Sequence, residues 1–191
     1  ERVGWELQNL LALPDPAPTA ARMRELGVLP EVLPECGTRE IDQLVRLIAA
    51  EDSAGIPADP MRRLAALLPP IVPVAEAVAA RLRLSRKQRD RLVCVARRSA
   101  QDGAHPRGLA YRVGADCALD RLLITGADPA PMLGWQAPAF PLKGGEIVAR
   151  GVAKGPEVAR ILQEVEALWV EERFPPRARV EELLDRALAG S

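Results

Sequence analysis

One stretch near the C-terminal end limits the fold more than any other. Val158, Ile161, Leu162, Val165, Leu168 and Trp169 recur at the three- and four-residue spacing that lines one face of a helix. The same spacing appears at Val3, Leu7, Leu10 and Leu11, at Ile41, Leu44, Val45 and Ile48, and at Met61, Leu64, Leu67 and Leu68. It returns at Val180, Leu183, Leu184, Ala187 and Leu188. No segment alternates apolar and polar residues as a half-buried strand would, and no fixed-period repeat is present. Aromatic residues are only 3% of the chain against 48% hydrophobic, so the core must be Leu, Ala, Val and Ile. These patterns predict an all-α fold, an irregular multi-helix array without a sheet.

Proline, glycine and capping residues punctuate the pattern. The prolines from Pro14 to Pro18 end the first helix, because proline disfavours helix at the residue before it. A second helix reaches Leu26 and stops at Gly27, and residues 28–35 give turns and a helical fragment. A loop is expected from Ser53 to Ala58. Asp59 then offers an N-cap with Pro60 at the first helical position. Ser85 and Gln88 form a capping-box pattern that opens a helix expected to end near Gly103. Two short helices, broken near Gly114, follow up to Gly126. Residues 126–145 hold four prolines and read as a linker or a surface arm pinned by Trp135. Trp169 reads as core, whereas Trp5 lies off its helix's stripe. The expected division is 1–52, 53–126 and 127–191.

Most catalytic chemistries lack their parts. No Walker-type loop occurs, and the one histidine, His105, has no evident nucleophile beside it. The carboxylate pairs Glu51/Asp52, Glu171/Glu172 and Glu181/Glu182 read as solvating charges, since adjacent helix residues do not face each other. Cys36, Cys94 and Cys117 are odd in number and far apart, which argues against a zinc site or a disulfide and for reduced thiols in a cytoplasm. No membrane-spanning run and no signal peptide is seen. The chain starts at Glu1 within a helical pattern, and we read it as a piece of a longer protein.

Net charge is zero but uneven. From Arg81 to Arg121 there are eleven basic residues and four acids. This basic middle is either a surface for a polyanion or a set of solvated helix faces. Two glycine turns in the tail add a second candidate. Lys143, Gly144, Gly145 and Glu146 open one helix, and Gly151 to Pro156, with Lys154 and Gly155, lead into the next. Free backbone N–H groups at such helix starts can take a phosphate oxygen. In an ordinary helix hairpin, Glu146 and Glu157 would occupy those positions instead.

The tail sequence from Phe140 to Phe174 resembles the C-terminal segment of bacterial class II tRNA nucleotidyltransferases, the CCA-adding enzymes, and of their poly(A) polymerase relatives. The matching positions are Pro141, Leu142, Gly144, Glu146, Ile147, Gly151, Val152, Gly155, Pro156, Val158, Ile161 and Leu162. At the other end, ERVGWEL and the GVLPEVLPE of residues 27–35 resemble the end of that family's neck, where Glu1 and Arg2 would brace the neck helices. The basic middle matches in general character only.

The resemblance implies a role in gripping tRNA by backbone and shape, with Arg81, Arg83, Arg86, Lys87, Arg89, Lys143, Gly144, Lys154 and Gly155 as contacts. It implies that Mg²⁺ and CTP or ATP belong to a catalytic head. This sequence lacks that head's G-S…D-x-D carboxylates and the E-D-x-x-R base-reading motif, so these residues alone are expected to transfer no nucleotide. Poly(A) addition is the rival within the family. The rival from another class is a helical protein–protein adaptor, dimerising through the Val158–Trp169 face.

Overall fold

In a computed structural model, residues 2–189 are described; Glu1, one of the two expected neck residues, lies outside them. The described residues contain twelve α-helices and no strand, so the protein is all-α. They fall into two compact units, divided between Leu133 and Gly134.

The first unit holds α1 (Arg2–Leu11), α2 (Ala17–Glu25), α3 (Val28–Val32), α4 (Thr38–Ala54) and α5 (Pro60–Ala66). It continues with α6 (Val72–Arg81), α7 (Arg86–Ala96), α8 (Pro106–Val113) and α9 (Ala115–Thr125). Short 3-10 turns occupy Ala100–Ala104 and Ala130–Met132. The caps act as their residue types require. Asp59 accepts from the N–H groups of Met61 and Arg62, and Ser85 and Gln88 cap α7 reciprocally. Gly55 closes α4 in the left-handed conformation, at φ 65°.

Two boundaries differ from the sequence expectation. The α4 helix runs through Ser53 to Ala54, because Gly55, not Ser53, supplies the left-handed stop. The α7 helix ends at Ala96, well before Gly103, where Ser99 caps the following 3-10 turn.

The core of this unit is aliphatic. Leu11, Leu29, Leu33, Leu44, Leu47, Leu64, Leu67 and Val78 are wholly inaccessible to solvent. Each such leucine contributes roughly 1.5–3 kcal/mol by its removal from water. At the centre lies α5, in which every residue from Met61 to Ala66 is buried. Gly4 of α1 allows close approach, since a Cβ there would stand 2.6 Å from the Leu82 carbonyl oxygen.

The thiol expectation is corrected here. Cys94 of α7 and Cys117 of α9 form a disulfide. They are far apart in sequence, but the α7–α9 packing brings their Cα atoms to 6.3 Å. Cys36 is the free cysteine and is buried.

The second unit contains α10 (Gly144–Ala149), α11 (Pro156–Glu171) and α12 (Arg177–Ala189). The predicted face of α11 is the core. Ile161, Val165 and Trp169 are buried with Ile147, Val180, Leu183 and Leu184. Arg173 and Phe174 reverse the chain between α11 and α12 at φ 63° and 62°. Left-handed backbone costs a non-glycine residue roughly 1–2 kcal/mol. The Phe174 ring offsets this by packing 4.9 Å from Trp169 and 5.1 Å from Trp135. Trp169 also donates its Nε1–H to the Pro175 carbonyl at 2.9 Å.

Candidate nucleic-acid interface

The basic middle divides into cations with a fixed internal partner and cations facing water. Arg91 and Arg121 belong to the first group. Arg91 donates to both oxygens of Asp120, and its Nη2 lies 2.9 Å from Asp59 Oδ2. Arg121 grips Asp102 in the same two-pronged way, at 2.9 and 2.6 Å. Burial works against the Arg91 charge, but the bonds to Asp120 and the field of Asp59 outweigh it and hold its pKa above the usual value. For Asp59 and Asp102, burial would raise the carboxyl pKa, but hydrogen bonds and the facing arginines pull both below the ordinary range.

Among the predicted contacts, Arg81 and Arg89 also have acidic neighbours. Arg81 Nη2 lies 2.5 Å from Glu35 Oε2, and Arg89 Nη2 lies 3.4 Å from Glu76 Oε1. Both pairs sit partly in solvent, where an ion pair contributes about 0–1 kcal/mol and is readily exchanged for another anion. Arg83, Arg86 and Lys87 are different. All three are exposed, and Arg86 Nε lies 3.8 Å from Asp90 Oδ2. Arg86 and Lys87 occupy the first two positions of α7. A cation there adds to the positive end of the helix dipole, so the cluster concentrates positive charge at the α6–α7 turn.

The tail glycines are placed as expected, but the helix start is filled. The Lys143 backbone N–H donates to Glu146 Oε1 at 2.8 Å, and Glu146 pairs with Arg177. Glu157 pairs with Arg160 at 2.7 Å. The ordinary hairpin arrangement therefore holds at α10. Lys143 and Lys154 remain exposed. Gly144 packs against Val158, where a Cβ would stand 3.2 Å from its Cγ1. Gly155 adopts φ 135°, which side chains disfavour. Arg2 is exposed on α1 beside the apolar groove lined by Val3, Leu7 and Met23.

The dimer face proposed for an adaptor is consumed inside the second unit, since Ile161, Val165 and Trp169 are buried there. Trp5 is exposed, at 62%.

Sequence reasoning missed a buried charge network and misread Glu51 as solvated. Glu51 is 1% exposed and holds Arg62 Nη1 at 2.7 Å and Arg63 Nε at 2.9 Å. Arg62 Nε reaches Asp120 Oδ1 at 2.8 Å, which joins this group to Arg91. Arg63 also donates to the carbonyls of Leu11, the last residue of α1, and of Leu13 and Pro14 beyond it. A signal was present: Glu51 continues the Ile41, Leu44, Ile48 stripe by one more step of three.

Among the described residues, no group of three His, Cys, Asp or Glu side chains could hold a metal ion. No helix among them is long and apolar enough to cross a membrane. No protein-family model matches the chain, and no curated protein matches it.

Proposed function

We propose that this chain is the neck-end, body and tail portion of a class II tRNA nucleotidyltransferase, and that its task is to hold the tRNA while a separate catalytic head adds C, C and A. The observation that carries the RNA-holding role is the Arg83, Arg86 and Lys87 cluster, exposed at the start of α7 with a single long ion pair, from Arg86 to the exposed Asp90 at 3.8 Å. Such a field suits the phosphates of a polyanion.

Family membership rests on the tail pattern, and the packing of that pattern supports it. Its apolar members Leu142, Ile147 and Ile161 are buried, and its glycines Gly151 and Gly155 take positive φ. Lys143 and Lys154 would add tail contacts as side-chain charges. Arg81 and Arg89 would contribute once their acidic partners are displaced. Poly(A) addition uses the same parts and remains the reading within the family that this region does not separate. The proposed substrate alone supports a cytoplasmic location, since the Cys94–Cys117 bond removes the support of reduced thiols.

The test is binding to a whole tRNA and to a DNA duplex of similar length over a salt series. The expected result is preferential tRNA binding that weakens with salt. Reversing Arg86 and Lys87 to glutamate should reduce the slope of log K against log salt by about 1 for each lost phosphate contact. A slope unchanged by both reversals would remove the cluster from the interface.

A further inference from the structure

A second cationic feature lies away from the α6–α7 turn. A cavity of about 390 Å³ opens between α4, the end of α7 and the end of α9, with Gln43, Arg46, Arg98, Ser99 and Thr125 among its lining. Five arginines of the first unit are not solvent-exposed: Arg62, Arg63, Arg91, Arg98 and Arg121. Four of them face carboxylates at ion-pair distance. Arg98 does not. Its Nη2 donates to the Leu68 carbonyl at 2.7 Å and its Nη1 to the Val95 carbonyl at 3.3 Å.

Two carbonyl dipoles satisfy part of the guanidinium's hydrogen bonding but none of its charge. Burial pushes the Arg98 pKa below its usual value, and the charge of Glu40 restores only part of it. Arg46, also without a carboxylate partner among the described residues, is exposed on the same cavity and is steadied by a 3.0 Å bond to Gln43 Oε1. Gln43 is itself fixed by a 2.6 Å bond to the Ile124 carbonyl. Three carbonyls at the α9 end have donors: Gly126 and Ala127 donate back to Leu123 and Leu122, and Gln43 covers Ile124. The charged side chains lining the cavity are Arg46 and Arg98.

We infer that the Arg46–Arg98 cavity is an anion site that takes a phosphate group, with Arg98 as the fixed inner donor and Arg46 as the outer one. That the phosphate is a backbone phosphate of RNA rests on the function proposed above; the cavity's preference for a phosphate does not.

The test is calorimetric titration of the whole chain with inorganic phosphate, followed by tRNA titration over salt. Wild-type chain should bind phosphate. Arg46→Ala, which alters an exposed side chain, should weaken that binding about tenfold, the loss of one charge-assisted hydrogen bond. Arg98→Gln should abolish it. Arg24→Ala, outside the cavity, should leave it unchanged. If Arg98→Gln fails to fold, Arg46→Ala against Arg24→Ala still decides. No phosphate binding, or binding equal in wild type and Arg46→Ala, overturns the site. Phosphate binding lost in Arg46→Ala, with no tRNA binding by wild type, upholds the cavity and removes the RNA reading. Loss of both phosphate binding and about 1 unit of tRNA salt slope upholds both.

Discussion

Arg91 and Asp120 form a two-pronged ion pair, with Nε 2.6 Å from Oδ2 and Nη2 2.9 Å from Oδ1. Asp120 is fully buried and also holds Arg62. The pair joins α7 to α9 a short distance along both helices from the Cys94–Cys117 bond.

Replacing Asp120 with alanine should therefore be among the most damaging single changes in the first unit. It leaves the buried Arg62 with Glu51 alone and Arg91 with Asp59 alone, and removing one partner of a buried pair costs about 3–5 kcal/mol. Urea unfolding of the variant against wild type measures this. A loss below about 1 kcal/mol would mean that water or another acid compensates the arginines.

The disulfide closes a 23-residue separation, for which loop closure alone predicts about 3 kcal/mol of stabilisation. Cys94→Ser should lower the unfolding midpoint in oxidising buffer and change nothing once a dithiol is present. Cys36 should resist alkylation in the native state, because burial first, and then the charge of Glu40, push its thiol pKa to about 12. A thiol count on denatured, non-reduced protein should give one. A count of three would show that the bond does not form in the cell that made the protein.

Acid should destabilise the first unit through Asp59 and Asp102. Their folded pKa values lie below the ordinary 3.8, so their contribution is complete above that value and is lost as pH falls through the lower folded one. Stability should be level down to about pH 5 and decline below about pH 4. Asp102→Asn should flatten part of that decline while lowering stability near neutrality. An acid limb as steep as that of wild type would exclude the Asp102–Arg121 pair as a source.

Gly4→Ala tests a close approach. Within a helix the change ordinarily gains about 1 kcal/mol. Here the new methyl would stand 2.6 Å from a backbone oxygen of Leu82, which cannot rotate away. A net loss of about 1–3 kcal/mol is expected from such overpacking. Thermal unfolding decides; any gain would mean that α1 shifts freely over the α6–α7 turn.

Helix positions were largely legible because their signals are local. Asp59 with Pro60, and Ser85 with Gln88, state their caps within four residues. The stripe from Val158 to Trp169 states its buried face. What escaped depends on pairing across the chain. Glu51 and Arg63 are 12 residues apart and Arg62 and Asp120 are 58 apart, so neither partner announces the other. The same holds for Cys94 and Cys117. For the candidate interface, the sequence counted eleven cations, and their partners decided which remain available. Arg91 and Arg121 are committed inside the fold, while Arg83, Arg86 and Lys87 are not.

The burial of α5 on all sides has a consequence for how this unit opens. Met61 to Ala66 have no solvent face, and their backbone lies beneath the arginines that anchor α1, α4, α7 and α9. Amide protons there have no route to deuterium by fraying, so they should exchange only when the whole unit unfolds. The unit then behaves as a single cooperative block around an inner axle.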